Sequence, residues 1–369
     1  HSSGVALKQI IATYNNDVEW KLLDVKVIEN SVIDSSGNVG VSVITKYASA
    51  SIADLGIGMI TPTLGSEIDR QTITTSSFDL RGNARSQSIL SEYWTGAAFS
   101  FSEFKDILND PYDIHDRTNK SVITSYTTAS RTAVLSKEEV YYDAYDKFGN
   151  ALSQRVDTYI PDGAGVLTLK DHKVITNVYD NVIAARRGNA TETVVVRYTD
   201  LTAAVKIDRT VTTTPSDKFN AQGYALEVTT EVYVMDSSGV EKFSRKTFTQ
   251  NENIDNRGDA AVQKVTSWAT DDLGALVQVT YQELTNREFD SQRNVKNQKV
   301  LTYDAAGGVV LDVQEVRNIS FHSSGVALKQ IIATYNNDVE WKLLDVKVIE
   351  NSVIDSSGNV GVSVITKYA

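Results

Sequence analysis

Asp34-Ser35-Ser36-Gly37-Asn38 runs straight into Val39-Gly40-Val41-Ser42-Val43-Ile44-Thr45-Lys46-Tyr47. The first five residues read as a tight reversal: Asp bonds back to the backbone two residues on, and Gly supplies the positive φ that such a turn needs. The next nine alternate. Val39, Val41, Val43, Thr45 and Tyr47 share one face, and Gly40, Ser42, Ile44 and Lys46 the other. Alternation with many β-branched residues predicts a strand, one face for a core and the other for water or a wet lumen.

The same unit recurs along the chain. Asp-x-x-Gly turns occur at Asp34–Gly37, Asp79–Gly82, Asp146–Gly149, Asp162–Gly165, Asp236–Gly239, Asp255–Gly258, Asp271–Gly274 and Asp304–Gly307, with Asn220–Gly223 a looser relative. An aromatic closes many of the strands. Ten residues separate Gly4 from Tyr14, Gly37 from Tyr47, Gly149 from Tyr159, Gly188 from Tyr198, Gly223 from Tyr233 and Gly258 from Trp268. Tyr224–Val232 alternates in the same way as Val39–Tyr47. A ten-residue strand spans ~33 Å, and with its turn makes a unit of about 16–19 residues. Such a unit cannot bury its apolar face alone, so neighbours must stack or wrap.

A longer period encloses the short one. Residues 1–48 recur letter for letter as residues 322–369, an offset of 321. Residues 1–321 therefore read as one full repeat, about nineteen short units long, and 322–369 as the start of the next. His1 falls inside a turn, because the second copy is preceded by Arg317-Asn318-Ile319-Ser320-Phe321. The expectation is an excerpt from a giant tandem array. Two stretches interrupt the rhythm. Residues 50–70 carry Gly56, Gly58, Pro62 and Gly65 and read as an irregular insertion. Residues 100–110 read as a helix: Ser100-Phe101-Ser102-Glu103 fits a capping box, Phe101, Phe104, Ile107 and Leu108 share a helical face, and Pro111 stops it.

Composition excludes several classes of function. With 36 basic against 47 acidic residues and a net charge of −11, general binding to nucleic acid or anionic membranes is disfavoured. No apolar run is long enough for a spanning helix. There is no cysteine, which removes disulfides, thiolate metal sites and thiol nucleophiles. Hydrophobic residues at 41% suffice for a packed core.

The block Tyr142-Asp143-Ala144-Tyr145-Asp146-Lys147-Phe148-Gly149-Asn150-Ala151-Leu152-Ser153-Gln154, ending in Asp157-Thr158-Tyr159, resembles a YD repeat, and so does Thr302-Tyr303-Asp304-Ala305-Ala306-Gly307-Gly308. This is the repeat of Rhs and teneurin-type proteins, and similar units fill giant bacterial surface proteins. The resemblance implies antiparallel strands spiralling into a shell or tube, in an extracellular or exported protein. The Gly-to-Tyr stretch here lacks the family's second internal glycine. No Rhs-type core motif, aspartyl autoprotease signature or toxin domain is visible, so a cargo function does not carry over.

Candidate chemistry is sparse. His1 and His322 are one repeat site, and neither His115 nor His172 has a second His at a metal spacing. His115 sits in Asp113-Ile114-His115-Asp116, which has the residue types to hold a cation but reads as a polar loop. Glu138 and Glu139 are adjacent on a predicted strand and so face opposite ways. No nucleophile elbow, phosphate loop or dinucleotide fingerprint occurs. Each turn offers one carboxylate where calcium needs six to eight oxygens; Asp271-Asp272 is the densest and the only calcium candidate. The strand-end aromatics read as closing rings that fix register, with glycan stacking the competing use.

The sequence thus predicts an all-β protein of long, mostly antiparallel strands in an elongated tube or spiral filament; the rival is a parallel β-solenoid. No enzyme activity, cofactor or membrane insertion is expected. The expected role is a repeat of a filament, sheath or scaffold on the cell exterior, its partners being adjacent copies of the same repeat, head to tail. Adhesion to glycans or other cell-surface molecules, and an Rhs-like shell segment around a cargo, are the alternatives. The twins Val39–Tyr47 and Val360–Tyr368 should have similar surroundings in such an assembly.

Overall fold

In the computed structural model, Val39–Tyr47 is a strand paired on both sides. The structure describes residues 1–14, 22–53, 59–271, 274–290, 292–304, 308–322, 324–354 and 358–368. The sheet opens with β1 (Lys8–Tyr14), β2 (Leu22–Ile33) and β3 (Val39–Tyr47). A hairpin of β4 (Ala50–Ile52) and β5 (Ile60–Pro62) forms a separate two-stranded sheet. The main sheet resumes with β6 (Glu67–Phe78), β7 (Ala84–Trp94), β8 (Phe99–Asn109) and β9 (Lys120–Tyr126). Next come β10 (Val134–Tyr145), β11 (Ala151–Pro161) and β12 (Leu167–Val178), then one helical turn, α1 (Val182–Ala185). It continues through β13 (Glu192–Tyr198), β14 (Lys206–Thr213), β15 (Glu227–Met235), β16 (Glu241–Ile254) and β17 (Ala260–Thr270). The last strands are β18 (Leu276–Phe289), β19 (Val295–Tyr303), β20 (Val310–Phe321), β21 (Ala327–Tyr335), β22 (Leu343–Ile354) and β23 (Val360–Tyr368).

The main sheet holds 21 strands, each paired antiparallel with its neighbours in sequence, β3 passing over the hairpin to β6. The parallel solenoid is therefore set aside. Tight reversals explain the choice, since a parallel neighbour needs a long crossover. The sheet does not close into a barrel. It winds as an open spiral, with strand ends as the seam. Glu67, Tyr93 and Trp94 share a cavity of about 380 Å³ with Glu288, Asp290 and Phe321, which lie at the opposite strand ends. β6 and β18 are twelve strands apart in this meander, so about twelve strands carry the sheet once around. An open spiral exposes more surface than a ball. The accessible area is 19551 Å², against ~14,500 Å² for a compact monomer of this mass.

The core is a thin line along mid-strand. Val25, Val27, Phe104, Val140, Val300, Val313 and Val316 are buried, one or two per strand, as single-layer alternation requires.

Two sequence expectations are corrected. Residues 100–110 are not helical: Phe99–Asn109 is β8, paired with β7 on one side and β9 on the other. The capping box is a weak local signal, and two complete ladders of backbone bonds outweigh it. Phe104 is buried and ring-packed on Tyr126 of the next strand, a contact at strand rather than helix spacing. The irregular insertion read over 50–70 is shorter and partly regular, because β4 and β5 pair and β6 already starts at Glu67.

Candidate assembly edge

Strand direction sorts the turns onto two rims. On the first rim lie the turns before odd-numbered members of the β1–β3 series and their equivalents, and there the Asp side chain closes the loop. Asp34 Oδ1 accepts from the backbone N–H of Ser36 (2.8 Å) and Asn38 (2.9 Å), and Oδ2 accepts from Asn38 Nδ2 (2.8 Å). Asp79 holds Arg81 and Asn83 in the same way, and Asp146 holds Phe148 and Asn150. Asp255 accepts from Arg257 and Asp259, the fourth residue now being acidic. The Asn38 side chain, bonded to Asp34, keeps that carboxyl below the ordinary carboxylate range. Turn glycines Gly37, Gly82, Gly149 and Gly258 all have positive φ.

In two of these turns the fourth residue also reaches the next turn. Asn83 Nδ2 donates to Asp116 Oδ1 at 2.8 Å, and Asn150 Nδ2 to Ala185 O at 2.6 Å. The His115 loop is a turn of this rim, with Asp113 bonded to the N–H groups of His115 and Arg117. On the other rim Asp236 holds Ser238 and Val240, and Gly239 takes positive φ. Asp304 accepts from Val309 N at 2.8 Å, one residue beyond a four-residue turn, and Gly307 lies outside the described residues. Asp271 accepts from Ala275 N (2.8 Å), and Asp272 lies outside the described residues. Among the described residues no three His, Cys, Asp or Glu side chains gather where they could hold a metal ion.

The strand-end aromatics have a common place. At Tyr14, Tyr47, Tyr159, Tyr198, Tyr233 and Trp268 the pairing register with the next strand slips by one residue. An extra residue sits opposite each, Leu23, Ile68, Lys170, Ile207, Ser244 and Val279 respectively, which is a β-bulge repeated along this rim. Bulges bend a strand and increase its twist. A bulge at every second pairing therefore curves the sheet steadily toward the spiral.

A row of asparagines was not legible from local patterns. Asn30, Asn109, Asn177, Asn251, Asn286, Asn318 and Asn351 each donate Nδ2 to a backbone carbonyl of the preceding strand or its approach. Their Oδ1 atoms accept from the following strand, as from Ser42, Ser121, Gln263, Gln298 and Gln330 onto Asn30, Asn109, Asn251, Asn286 and Asn318. In those five the partner comes twelve residues after the Asn, and that spacing is the signal in the sequence. Asn286 is buried. Asn286→Ala should cost about 1–3 kcal/mol by leaving Gln298 and Ala260 O unpaired, measured by urea unfolding; a loss under ~0.5 kcal/mol would refute that role.

Other polar groups are cross-strand clamps. Glu139 accepts from Lys120 (2.7 Å), Lys137 (2.6 Å) and Tyr141 (2.8 Å), and Lys120 first among these holds its pKa down at about 2. His172 Nδ1 lies 2.5 Å from Asp157 Oδ1, both buried and directly opposite on β11 and β12. Each cluster ties one strand to the next.

The edge of the sheet is where this pattern stops. Among the described residues β23 pairs with β22 alone, and all nine of its residues are exposed, including Val362, Val364 and Ile365. The same nine residues in β3 are half-buried or buried. The twin segments otherwise agree: β21–β22 and β22–β23 repeat the register of β1–β2 and β2–β3 pair for pair at the 321-residue offset.

No protein-family model and no curated protein matches the chain. Similar solved structures include TcdB2-TccC3, at 11% identity over 95% of this chain and TM-score 0.22; the chain spans 24% of its length. Another is a porin-like protein from Bacteroides uniformis, at 12% identity over 70% of this chain and 93% of that one, TM-score 0.20. A third is a protein of unknown function from Bacteroides fragilis, at 10% identity over 48% of this chain and 91% of that one, TM-score 0.20.

Proposed function

We propose that the chain is a non-catalytic structural repeat of a filament or sheath on the cell exterior, built by one spiral sheet running through many 321-residue periods. The observation that carries this reading is the junction between the two copies. From β1 to β20, leaving out the β4–β5 hairpin, the period contributes eighteen strands to the main sheet. Eighteen is even, so β21 runs in the same direction as β1 and joins β20 by an ordinary antiparallel pair, Val313 opposite Tyr335. Periods with this parity add without a fault. The partner of each period is then the next period of the same chain.

Denaturing electrophoresis of filaments purified from source cells tests this. The expected species has the mass of many periods. A band near one period in mass would overturn the continuous-chain reading.

A further inference from the structure

Lys46 is the one buried lysine among the described residues, with 6% of its side chain exposed. Its Nζ lies 3.0 Å from Oδ2 of Asp69, the residue directly opposite on β6. A second carboxyl flanks it from the other strand. Lys46 stands opposite Lys26 on β2, and Asp24, two residues before Lys26, shares that face one diagonal step from Lys46. Asp24 is fully buried, and neither of its oxygens has a hydrogen-bond partner among the described residues. Burial raises its pKa above the ordinary carboxylate value, against the smaller pulls of the nearby Thr13 hydroxyl and of the Lys46, Lys26 and Arg257 cations. A buried carboxyl without a partner is destabilising, and a dry ion pair is no better for stability than well-packed apolar residues of similar volume. Packing alone therefore does not account for the three groups.

We propose that Lys46 and Asp69 condense into an amide that staples β3 to β6, with Asp24 carrying the protons. The ion pair is the reactant. A proton passes from the ammonium to the Asp69 carboxylate, leaving an amine and an acid in contact. The amine lone pair attacks Asp69 Cγ and forms the C–N bond, while the carbonyl electron pair moves to oxygen, which takes the Asp24 proton. The nitrogen returns a proton to Asp24. Asp24 then protonates one hydroxyl, which leaves as water, and takes the proton of the other as the carbonyl re-forms. One water is lost, Asp24 ends as it began, and no oxidant or cofactor enters. Fixed contact across neighbouring strands supplies the proximity the reaction needs, and burial excludes the water that would oppose it. The position also suits a staple. β3 and β6 are joined through residues 48–66, the longest connection between neighbouring strands of the main sheet, which carries the β4–β5 hairpin. A cross-link there closes that loop in the unfolded chain as well as in the folded one. The reaction runs once within one chain and turns over no substrate, so it adds to the structural reading without depending on it.

Mass spectrometry of the folded whole chain, followed over time at neutral pH, tests the proposal. The expected mass falls short of the sequence mass by one water. Trypsin should no longer cut after Lys46, so residues 27–70 should appear as a single peptide with the missing water localised to Lys46 and Asp69. Lys46→Arg, which keeps the charge but not the amine, should retain the full sequence mass. Asp24→Asn, which keeps the volume, should slow the loss of water at least about tenfold, in chains whose strand content is checked by circular dichroism. A folded native chain that stays at the full sequence mass overturns the staple. So does a water lost at a turn aspartate while trypsin still cuts after Lys46. Equal rates in the native and Asp24→Asn chains overturn the role of Asp24.

Discussion

Replacing Lys46 with Ala should destabilise the chain by about 3–5 kcal/mol, the usual cost of breaking a buried ion pair from one side. The same replacement at Lys367 should cost under about 1 kcal/mol, as at exposed pairs. The two lysines occupy equivalent positions in the 321-residue period, with the same neighbours in sequence and the same opposite residue on the preceding strand, Lys26 or Lys347. What differs is β6. It buries Lys46 and leaves Asp69 as its counterion, so truncation strands a half-buried carboxylate with no cation opposite. At β23 truncation releases Asp345 toward water. Urea unfolding of the two variants, read with the same probe, gives the comparison. Asp69→Ala should reproduce the Lys46→Ala loss. Equal losses at Lys46 and Lys367 would mean that burial by the next strand contributes little.

The strands were legible because two punctuation marks repeat at a fixed distance. An Asp-x-x-Gly turn and an aromatic ten residues past its glycine bound β3, β11 and β17 to within a residue or two. The alternation read over Tyr224–Val232 lies mostly within β15, which begins three residues later at Glu227. Handedness of pairing was legible too, since such short loops admit only antiparallel neighbours. The bulge beside each aromatic was not. It depends on an extra residue in the partner strand, and nothing in Leu22-Leu23-Asp24 alone says which Leu is unpaired. The number of strands per spiral turn was equally hidden, because it is a sum of small twists over many pairs. At residues 100–110 the Phe101–Phe104 spacing favours a helix, and what decides otherwise, the neighbouring strands with a bulge at Ser102, is not a local signal. The helical turn α1 escaped notice because its one local signal is Asn181, whose side chain accepts from the N–H groups of Ile183 and Ala184. The asparagine row escaped because one Asn per strand pair makes no pattern until the chain is read at intervals of about two strands.

A single methyl group added against that helical turn should also be costly. Gly223→Ala should destabilise by about 2–5 kcal/mol, about 1–2 kcal/mol from the left-handed backbone and about 1–3 kcal/mol from overpacking. Gly223 has φ +84°, and a Cβ there would sit 2.9 Å from Ile183 O and 3.0 Å from Ala184 N. Both are backbone atoms of α1, which cannot step aside as a side-chain tip would. They are held from three directions: Asn181 caps the turn, its Nδ2 reaches Ser216 O at 2.9 Å, and Asn189 Nδ2 grips Gly223 O at 2.8 Å. The control is Gly149, two turns away on the same rim, with φ +89° and open space where its Cβ would go. Gly149→Ala should lose only the backbone contribution, about 1–2 kcal/mol. The difference between the two alanines isolates the packing of one turn against the next, which is the contact that spaces the strands along this rim. If both cost the same in urea unfolding, the turns are merely adjacent, and the rim contributes nothing to the sheet beyond closing its own loops.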